Sequence, residues 1–346
     1  MCELFAMSSR MPTSVGFSLE TLARRGGAEG PHRDGWGVGY YSGPDVLLLR
    51  EPGAASESGL AHHIKQHGPP SELVISHSRL ATRGERALQN TQPFVRELGG
   101  RSHIFAHNGE LDGLAGLPGA AVRRFRPIGD TDSEVAFCSL LKDLVPLWDA
   151  AGEEPPPMEQ RFELVADFAS RLRQLGIANF LYADSDTLFA HSDHRIPPGT
   201  EEVLPGMHVL ERGCTEEVPD MSDSGVTLKT VQQALTLVAS APLTDEAWHP
   251  LAQGEVLAIR GGEIVGIGSA DELGSNKRSV TGQFLSGTRT IAIPETLRPI
   301  DGEAQLTIHG ARFHNLKNVD ATIPLGTVTC VAGVSGSGKS SLIGGI

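Results

Sequence analysis

The chain has 346 residues, 39% of them hydrophobic, and a formal net charge of −13 at pH 7. That length suits roughly two domains of about 150 residues each, and an acidic surface repels phosphate backbones, which argues against general nucleic-acid binding. No run approaches the roughly 20 apolar residues that span a bilayer, and the N-terminus lacks the basic start and apolar stretch of a secretory signal, so a cytoplasmic protein with no membrane partner is expected.

The chain opens Met1-Cys2-Glu3-Leu4-Phe5. Trimming of Met1 would leave a thiol and a free α-amine on one Cα, and an α-amine titrates close enough to neutrality to take the thiol proton. Taken alone, a cysteine at position two is more often an accident of composition. The other cysteines, Cys138, Cys214 and Cys330, are scattered; no C-x-x-C pair suggests a zinc site or a disulfide framework. Cys138 and Cys214 are expected to be inert buried thiols.

Residues 15–25 read as a short helix with Val15, Leu19 and Leu22 on one face. The glycines of His32-Arg33-Asp34-Gly35-Trp36-Gly37-Val38-Gly39 predict a turn into a strand with close backbone packing. The His-Arg-Asp triplet lacks the downstream motifs of a kinase catalytic loop. Residues 46–49 form a second strand candidate, paired with the first across Ser42-Gly43-Pro44-Asp45. Further strands are expected at 73–78 and 103–107, each ending in polar residues where a site could sit. Helices are expected at 132–145 and 158–175, the second with Phe162, Val165, Ala169 and Leu172 at helical spacing. Short strands return at 179–183, 187–191, 235–240 and 255–260. Strands with helices arriving in blocks predict a layered α+β fold rather than alternating βαβ units.

Three polar clusters accompany Cys2: His77-Ser78-Arg79-Leu80-Ala81-Thr82, His107-Asn108-Gly109-Glu110-Leu111 and Gly129-Asp130-Thr131-Asp132-Ser133-Glu134, with the loop Asn90-Thr91-Gln92-Pro93-Phe94 among them. Singly, each has a plain reading. Arg79 would be a surface residue after a strand, Asn108-Gly109 a hairpin turn, and Asp132 a helix N-cap with Glu134 in the first turn. His77 and His107 read as structural, with no proton transfer assigned.

Together with Asp34-Gly35-Trp36-Gly37 and Ala239-Ser240-Ala241-Pro242-Leu243-Thr244-Asp245, their order and spacing over residues 2–265 resemble class II glutamine amidotransferases. The nearest subgroup is the small stand-alone type with YafJ-like and ergothioneine-pathway members. The resemblance implies an N-terminal nucleophile fold: a four-layer αββα sandwich of two antiparallel sheets, with Cys2 opening a central strand. It implies attack of the Cys2 thiolate on the side-chain amide of glutamine or another γ-glutamyl small molecule, giving a thioester, ammonia and then glutamate, with no cofactor and no metal. It places the Asn108 side-chain amide and the Gly109 N–H around the oxyanion, where such donors are worth about 10²–10³ each in rate. Gly109 would also allow a backbone geometry that a Cβ obstructs. Arg79 would fork onto the substrate α-carboxylate, and Asp132 would hold the α-ammonium. No acceptor domain is recognisable, so the ammonia-accepting partner stays open.

Further on, Gly333-Val334-Ser335-Gly336-Ser337-Gly338-Lys339-Ser340 matches the phosphate loop G-x-x-x-x-G-K-[ST]. Gly333, Gly336 and Gly338 would let backbone N–H groups surround phosphates, while Lys339 neutralises charge and Ser340 reaches Mg²⁺. A strand at 327–332 is expected before it. With Thr281-Gly282-Gln283-Phe284-Leu285-Ser286-Gly287 and Gly310-Ala311-Arg312-Phe313-His314-Asn315-Leu316-Lys317-Asn318-Val319, residues 261–346 resemble UvrA, the ATPase family that detects DNA damage in excision repair. The resemblance implies an inter-module linker and the start of an ABC-type ATPase module, able to take ATP and Mg²⁺. Walker B and signature motifs have no counterpart, so ATP hydrolysis is not expected. The expected division is an amidotransferase domain over 1–265 and a truncated UvrA-like P-loop fragment over 266–346. Residues 261–265 suit either family, and a crossover there is expected, with a natural fusion as the rival. The alternative function is a UvrA-type ATP-binding repair component with an accessory N-terminal domain; the net acidity weighs against it.

Overall fold

Leu4, Phe5, Ala6 and Met7 are all buried, a pattern that needs a packed layer on each face of the strand. The computed structural model supplies both layers. It describes residues 2–15, 30–114, 124–197, 199–213, 226–227, 234–269, 304–314, 316–326, 329 and 341–342, in two units, Met1–Arg289 and Thr290–Ile346.

The first unit carries β1 (Glu3–Val15), β2 (Trp36–Ser42), β3 (Asp45–Glu51), β4 (Pro70–Ser78), β5 (Phe94–Leu98), β6 (Arg101–Leu111), β7 (Gly176–Ala183) and β8 (Leu188–His191). The short β9 (His194–Arg195) and β10 (Leu204–Pro205) follow, then β11 (His208–Gly213), β12 (Val226–Thr227), β13 (Ala234–Ala239), β14 (His249–Pro250), β15 (Val256–Arg260) and β16 (Glu263–Gly268). Its helices are α1 (Gly59–His67), α2 (Asp132–Ala151) and α3 (Met158–Arg173). One sheet has the order β14-β11-β13-β1-β4-β2-β3, with β12 paired to β1; the other has the order β16-β15-β8-β7-β6-β5. The strand pairs in both are antiparallel.

Side-chain alternation sorts the core into three layers. Leu4 and Ala6 of β1 pack with Ile104 and Ala106 of β6 and Leu181 of β7 between the sheets. Phe5 and Met7 turn the other way, onto Ala61 and Ile64 of α1. Phe105 and Phe180 turn away from the sheet interface onto Phe137 of α2 and Phe168 of α3. The result is the expected αββα sandwich. The sheets approach closely because β2 faces its partner with glycine: a Cβ on Gly37 would lie 2.4 Å from the Gln92 carbonyl oxygen, and one on Gly39 would lie 2.3 Å from Ile104 Cδ1.

Several element ends differ from expectation. Thr131 caps α2, its Oγ1 accepting from Glu134 N at 3.4 Å. The helix runs past residue 145, through Pro146, to Ala151, because burial of Trp148 outweighs the local cost of proline. α3 ends at Arg173 rather than 175. Val15 closes β1, and the rest of the helix expected at 15–25 lies outside the described residues. Cys138 is buried as expected, its thiol pKa pushed up to about 11 by burial; Cys214 and Cys330 lie outside the described residues. No helix among the described residues is long and apolar enough to cross a membrane.

The second unit contains a hairpin of β17 (Gln305–Ala311) and β18 (Val319–Pro324), in antiparallel register from Gln305↔Pro324 to Ala311↔Val319. Its strand residues are exposed or half-exposed. His314 Nδ1 lies 3.0 Å from Ser341 Oγ. Apart from residue 329, the strand expected at 327–332 lies outside the described residues, as do Gly333, Gly336, Gly338, Lys339 and Ser340.

Candidate active site

β1 runs through the middle of its sheet, and Cys2 stands one residue ahead of it, half-buried. Leu4 and Ala6 face the second sheet, and Cys2 continues their parity. Its Sγ accepts from Leu80 N at 3.3 Å and donates to Leu80 O at 3.4 Å. Burial pushes the thiol pKa up; the Leu80 backbone, the N-terminal charge and Arg79 pull it back, and Asp132 raises it further. Both expected substrate-gripping residues therefore act electrostatically on the thiol.

Across the inter-sheet layer, β6 presents Asn108 and Gly109. Asn108 shares the face of Ile104 and Ala106 by alternation. It is 1% exposed, and neither its Oδ1 nor its Nδ2 has a hydrogen-bond partner. Leaving such groups unpaired costs roughly 1–3 kcal/mol each, so the carboxamide, spent on no other protein group, is free to donate to a substrate. At the end of the β6–β7 ladder, Asp112 N donates to Leu175 O at 2.8 Å, which turns the even-numbered main chain of β6 toward β7. The odd-numbered main chain faces the β5 side. There the Gln92 side chain prolongs the ladder past the end of β5: Oε1 accepts from His107 N at 2.6 Å and Nε2 donates to His107 O at 3.2 Å. Gly109 N–H is next along that edge. Glycine is required here by close approach, since a Cβ would lie 1.8 Å from the Ile177 carbonyl oxygen.

The two histidines are both buried. Burial, with a smaller push from Arg79, lowers the His77 pKa to about 3. His107 is also lowered by burial, against the opposing effect of Asp132. The His107 Nε2–H donates to Ile177 O at 3.3 Å, which leaves Nδ1 to accept from the Ser133 hydroxyl at 3.0 Å. That bond ties β6 to the start of α2.

Arg79 is 3% exposed, not the surface residue of its plain reading. Its guanidinium donates to the carbonyls of Arg83, Glu85, Gly84 and Asp34 at 2.8, 3.0, 3.1 and 3.4 Å. Asp132 is the first residue of α2, not its cap. Its Oδ2 accepts from Leu111 N and its Oδ1 from Ser133 N, at 2.9 and 2.8 Å. Loops 83–85 and 129–132 are joined by Asn90, whose Nδ2 donates to Glu85 O at 3.1 Å and whose Oδ1 accepts from Asp130 N at 3.0 Å. Buried Glu134 accepts from Gly129 N at 2.7 Å and pairs with Arg96. The structure thus gathers Cys2, Arg79 and Asp132 at one end of β1 and sets Asn108-Gly109 on the facing sheet. Sequence reasoning missed Glu134 as a loop clasp and Asn179 altogether. The available signal for Asn179 was a lone amide in the otherwise apolar run Ala178-Asn179-Phe180-Leu181. No cluster able to hold a metal ion occurs among the described residues.

A family profile described as glutamine amidotransferases class-II matches residues 1–282. YafJ of Escherichia coli, named as a glutamine amidotransferase, is 36% identical over 261 residues, which are 74% of this chain and 96% of that one. The crystal structure of a predicted glutamine amidotransferase from Pseudomonas aeruginosa PA01 superposes with a TM-score of 0.54 at 32% identity, covering 77% of this chain and 100% of that one. A separate stretch of 86 residues is 52% identical to UvrABC system protein A of Streptomyces avermitilis; it is 25% of this chain but spans only 8% of that protein.

Proposed function

Because the chain belongs to the class II glutamine amidotransferases, we propose that it cleaves the side-chain amide of glutamine, or of another γ-glutamyl small molecule, with Cys2 as nucleophile. Met1 is removed first. The freed α-amine takes the thiol proton, and the Sγ–carbonyl carbon bond forms as the carbonyl π pair moves onto oxygen. Asn108 Nδ2 and Gly109 N–H receive that oxyanion. Collapse of the tetrahedral species breaks the C–N bond, and the ammonium proton returns to the leaving nitrogen, releasing ammonia. Water then hydrolyses the thioester to glutamate and restores the thiol. A thiol whose pKa is raised by burial makes an adjacent base necessary near neutral pH.

The observation that carries this reading is the Asn108 carboxamide, buried with both polar atoms unpartnered beside a glycine N–H at a strand edge. Arg79 would take the α-carboxylate by exchanging loop carbonyls for carboxylate oxygens, and Asp132 would take the α-ammonium. The half-reaction needs water and no cofactor. The test is ammonia and glutamate release from glutamine by protein whose intact mass lacks Met1. Full activity with Met1 retained refutes the N-terminal base, and no amide hydrolysis across a panel of γ-glutamyl amides refutes the whole reading.

The UvrA-like segment supports a narrower proposal. Its phosphate loop, with Lys339 and Ser340, would bind ATP and Mg²⁺ weakly and without turnover, and the amide reaction would not depend on it. We place the domain boundary just beyond β16 rather than at residue 265, because Ile267 packs against the inter-sheet core. ATP-dependent stimulation of amide cleavage would instead favour a coupled repair component.

A further inference from the structure

Asn108 and Asn179 lie opposite each other in the β6–β7 ladder, yet their side chains are treated in opposite ways. Asn108 uses neither polar atom. Asn179, fully buried, uses both: Nδ2 donates to His194 O at 2.8 Å and to Asn108 O at 3.2 Å, and Oδ1 accepts from Asp193 N at 2.7 Å. Its place is guarded on the far side by Gly206, where a Cβ would lie 1.7 Å from Asn179 Oδ1. Asp193 is fixed in turn, its Oδ2 accepting from Ala178 N at 3.2 Å and its Oδ1 from Gln253 Nε2 at 2.8 Å.

The Asn108 carbonyl and the Gly109 N–H belong to one peptide group. A trans peptide is planar, with its C=O and N–H pointing in opposite directions. A donor anchored on Asn108 O therefore sets the direction of Gly109 N–H, and by withdrawing density through the peptide it makes that N–H a stronger donor. Resting on the reading of Asn108 and Gly109 as oxyanion donors, we infer that Asn179 is a positioning residue for that site. It holds the 108–109 peptide so that the Asn108 amide and the Gly109 N–H converge, and it couples them to the 193–194 and 206 loops. It touches neither substrate nor thiol.

The discriminating experiment compares Asn179→Asp, which keeps size and acceptor but loses the donor, with Asn179→Ser, which introduces no buried charge and carries the test if the first variant is poorly soluble. An oxyanion effect acts on the transition state and spares ground-state binding. We expect kcat for glutamine to fall about tenfold to a hundredfold while KM stays within about twofold. Inhibition by the γ-aldehyde of glutamate, which adds to a thiol as a tetrahedral adduct, should weaken by the same factor as kcat/KM, and inhibition by glutamate should not change. Native kcat in either folded variant overturns the inference. So does a loss of glutamate affinity in step with kcat, which would mark general distortion. Cys2→Ala and Asn108→Ala are assayed alongside. Amide cleavage surviving in both would sink the underlying site assignment, whereas their inactivity beside a normal Asn179 variant would sink this inference alone.

Discussion

β1 and β17 are both antiparallel strands with apolar residues, and they stand at opposite extremes of burial. Leu4 to Met7 of β1 are sealed between α1's layer and the second sheet. Leu306 of β17 is 43% exposed, and the hairpin shows no buried residue on either strand. The contrast runs against sequence identity: the UvrA-like stretch is 52% identical to its relative, the amidotransferase part 36%. Identity reports ancestry, whereas a strand's stability comes from what covers its faces. An isolated two-stranded hairpin is marginal in water, and no covering layer for β17 and β18 occurs among the described residues.

That difference can be broken or sharpened by experiment. The largest effect belongs to Cys2→Ala, expected to lower amide cleavage by about 10⁴-fold or more with an unchanged melting temperature; steady-state ammonia release and calorimetry decide it. Next is Asn108→Ala. Loss of an oxyanion donor should lower kcat by about 10²–10³ with KM near native. Because the carboxamide is buried without partners, the melting temperature should hold or rise; a marked fall would mean the amide is bonded in the free protein. Arg79→Lys should raise KM for glutamine by about tenfold, since an ammonium cannot reproduce a fork. Unchanged KM would reassign the α-carboxylate site.

Stability against pH probes the buried core of the first unit. Burial lowers the pKa values of His77 to about 3 and of His103 and His191 to about 4. The unfolded chain binds these protons near pH 6.5, the native chain only below about 4. Their neutral burial thus favours folding fully above pH 6.5, and this contribution is lost as pH falls from 6.5 toward 4. Denaturant melts across that window should show falling stability, and a flat profile would contradict the buried neutral assignment.

The smallest effect comes from removing one region. Truncation after Arg289 should leave kcat/KM within about twofold and the melting temperature within a few degrees. Truncation at Val265 should do worse. It removes Gly266 to Gly268 from the ladder with Val256 to Ala258 and strips Ile267 from the inter-sheet core, at a cost of about 1–3 kcal/mol. Equal behaviour of the two truncations would show that β16 contributes nothing to the domain.

Much of this molecule was legible before its structure. Apolar spacing located α3 to within two residues, and the Ser42-Gly43-Pro44-Asp45 turn located the β2–β3 hairpin, whose register closes on Ser42↔Asp45. The polar clusters around Arg79, Asn108 and Asp132 carried the family resemblance through their order and spacing; Arg79 follows the end of β4 and Asp132 opens α2, whereas Asn108 lies within β6. Glu134 was visible only as a first-turn acid; it bonds Gly129 and also pairs with Arg96, 38 residues away. Local pattern carries no information on such pairs.

The sequence by itself determined which residues can do chemistry, since residue type and order are local properties: a second-position thiol, an Asn-Gly pair, a buried-face period. Tertiary structure alone decided four other matters. It set the sheets close enough that Gly37 and Gly39 had to lack a Cβ, and it brought β7 so near β6 that Gly109 had to lack one too. It gave the Asn108 amide no protein partner while satisfying that of Asn179, and it turned the Gly109 N–H to the edge where β5 stops. Each depends on atoms brought together from distant parts of the chain, and only packing fixes their separation.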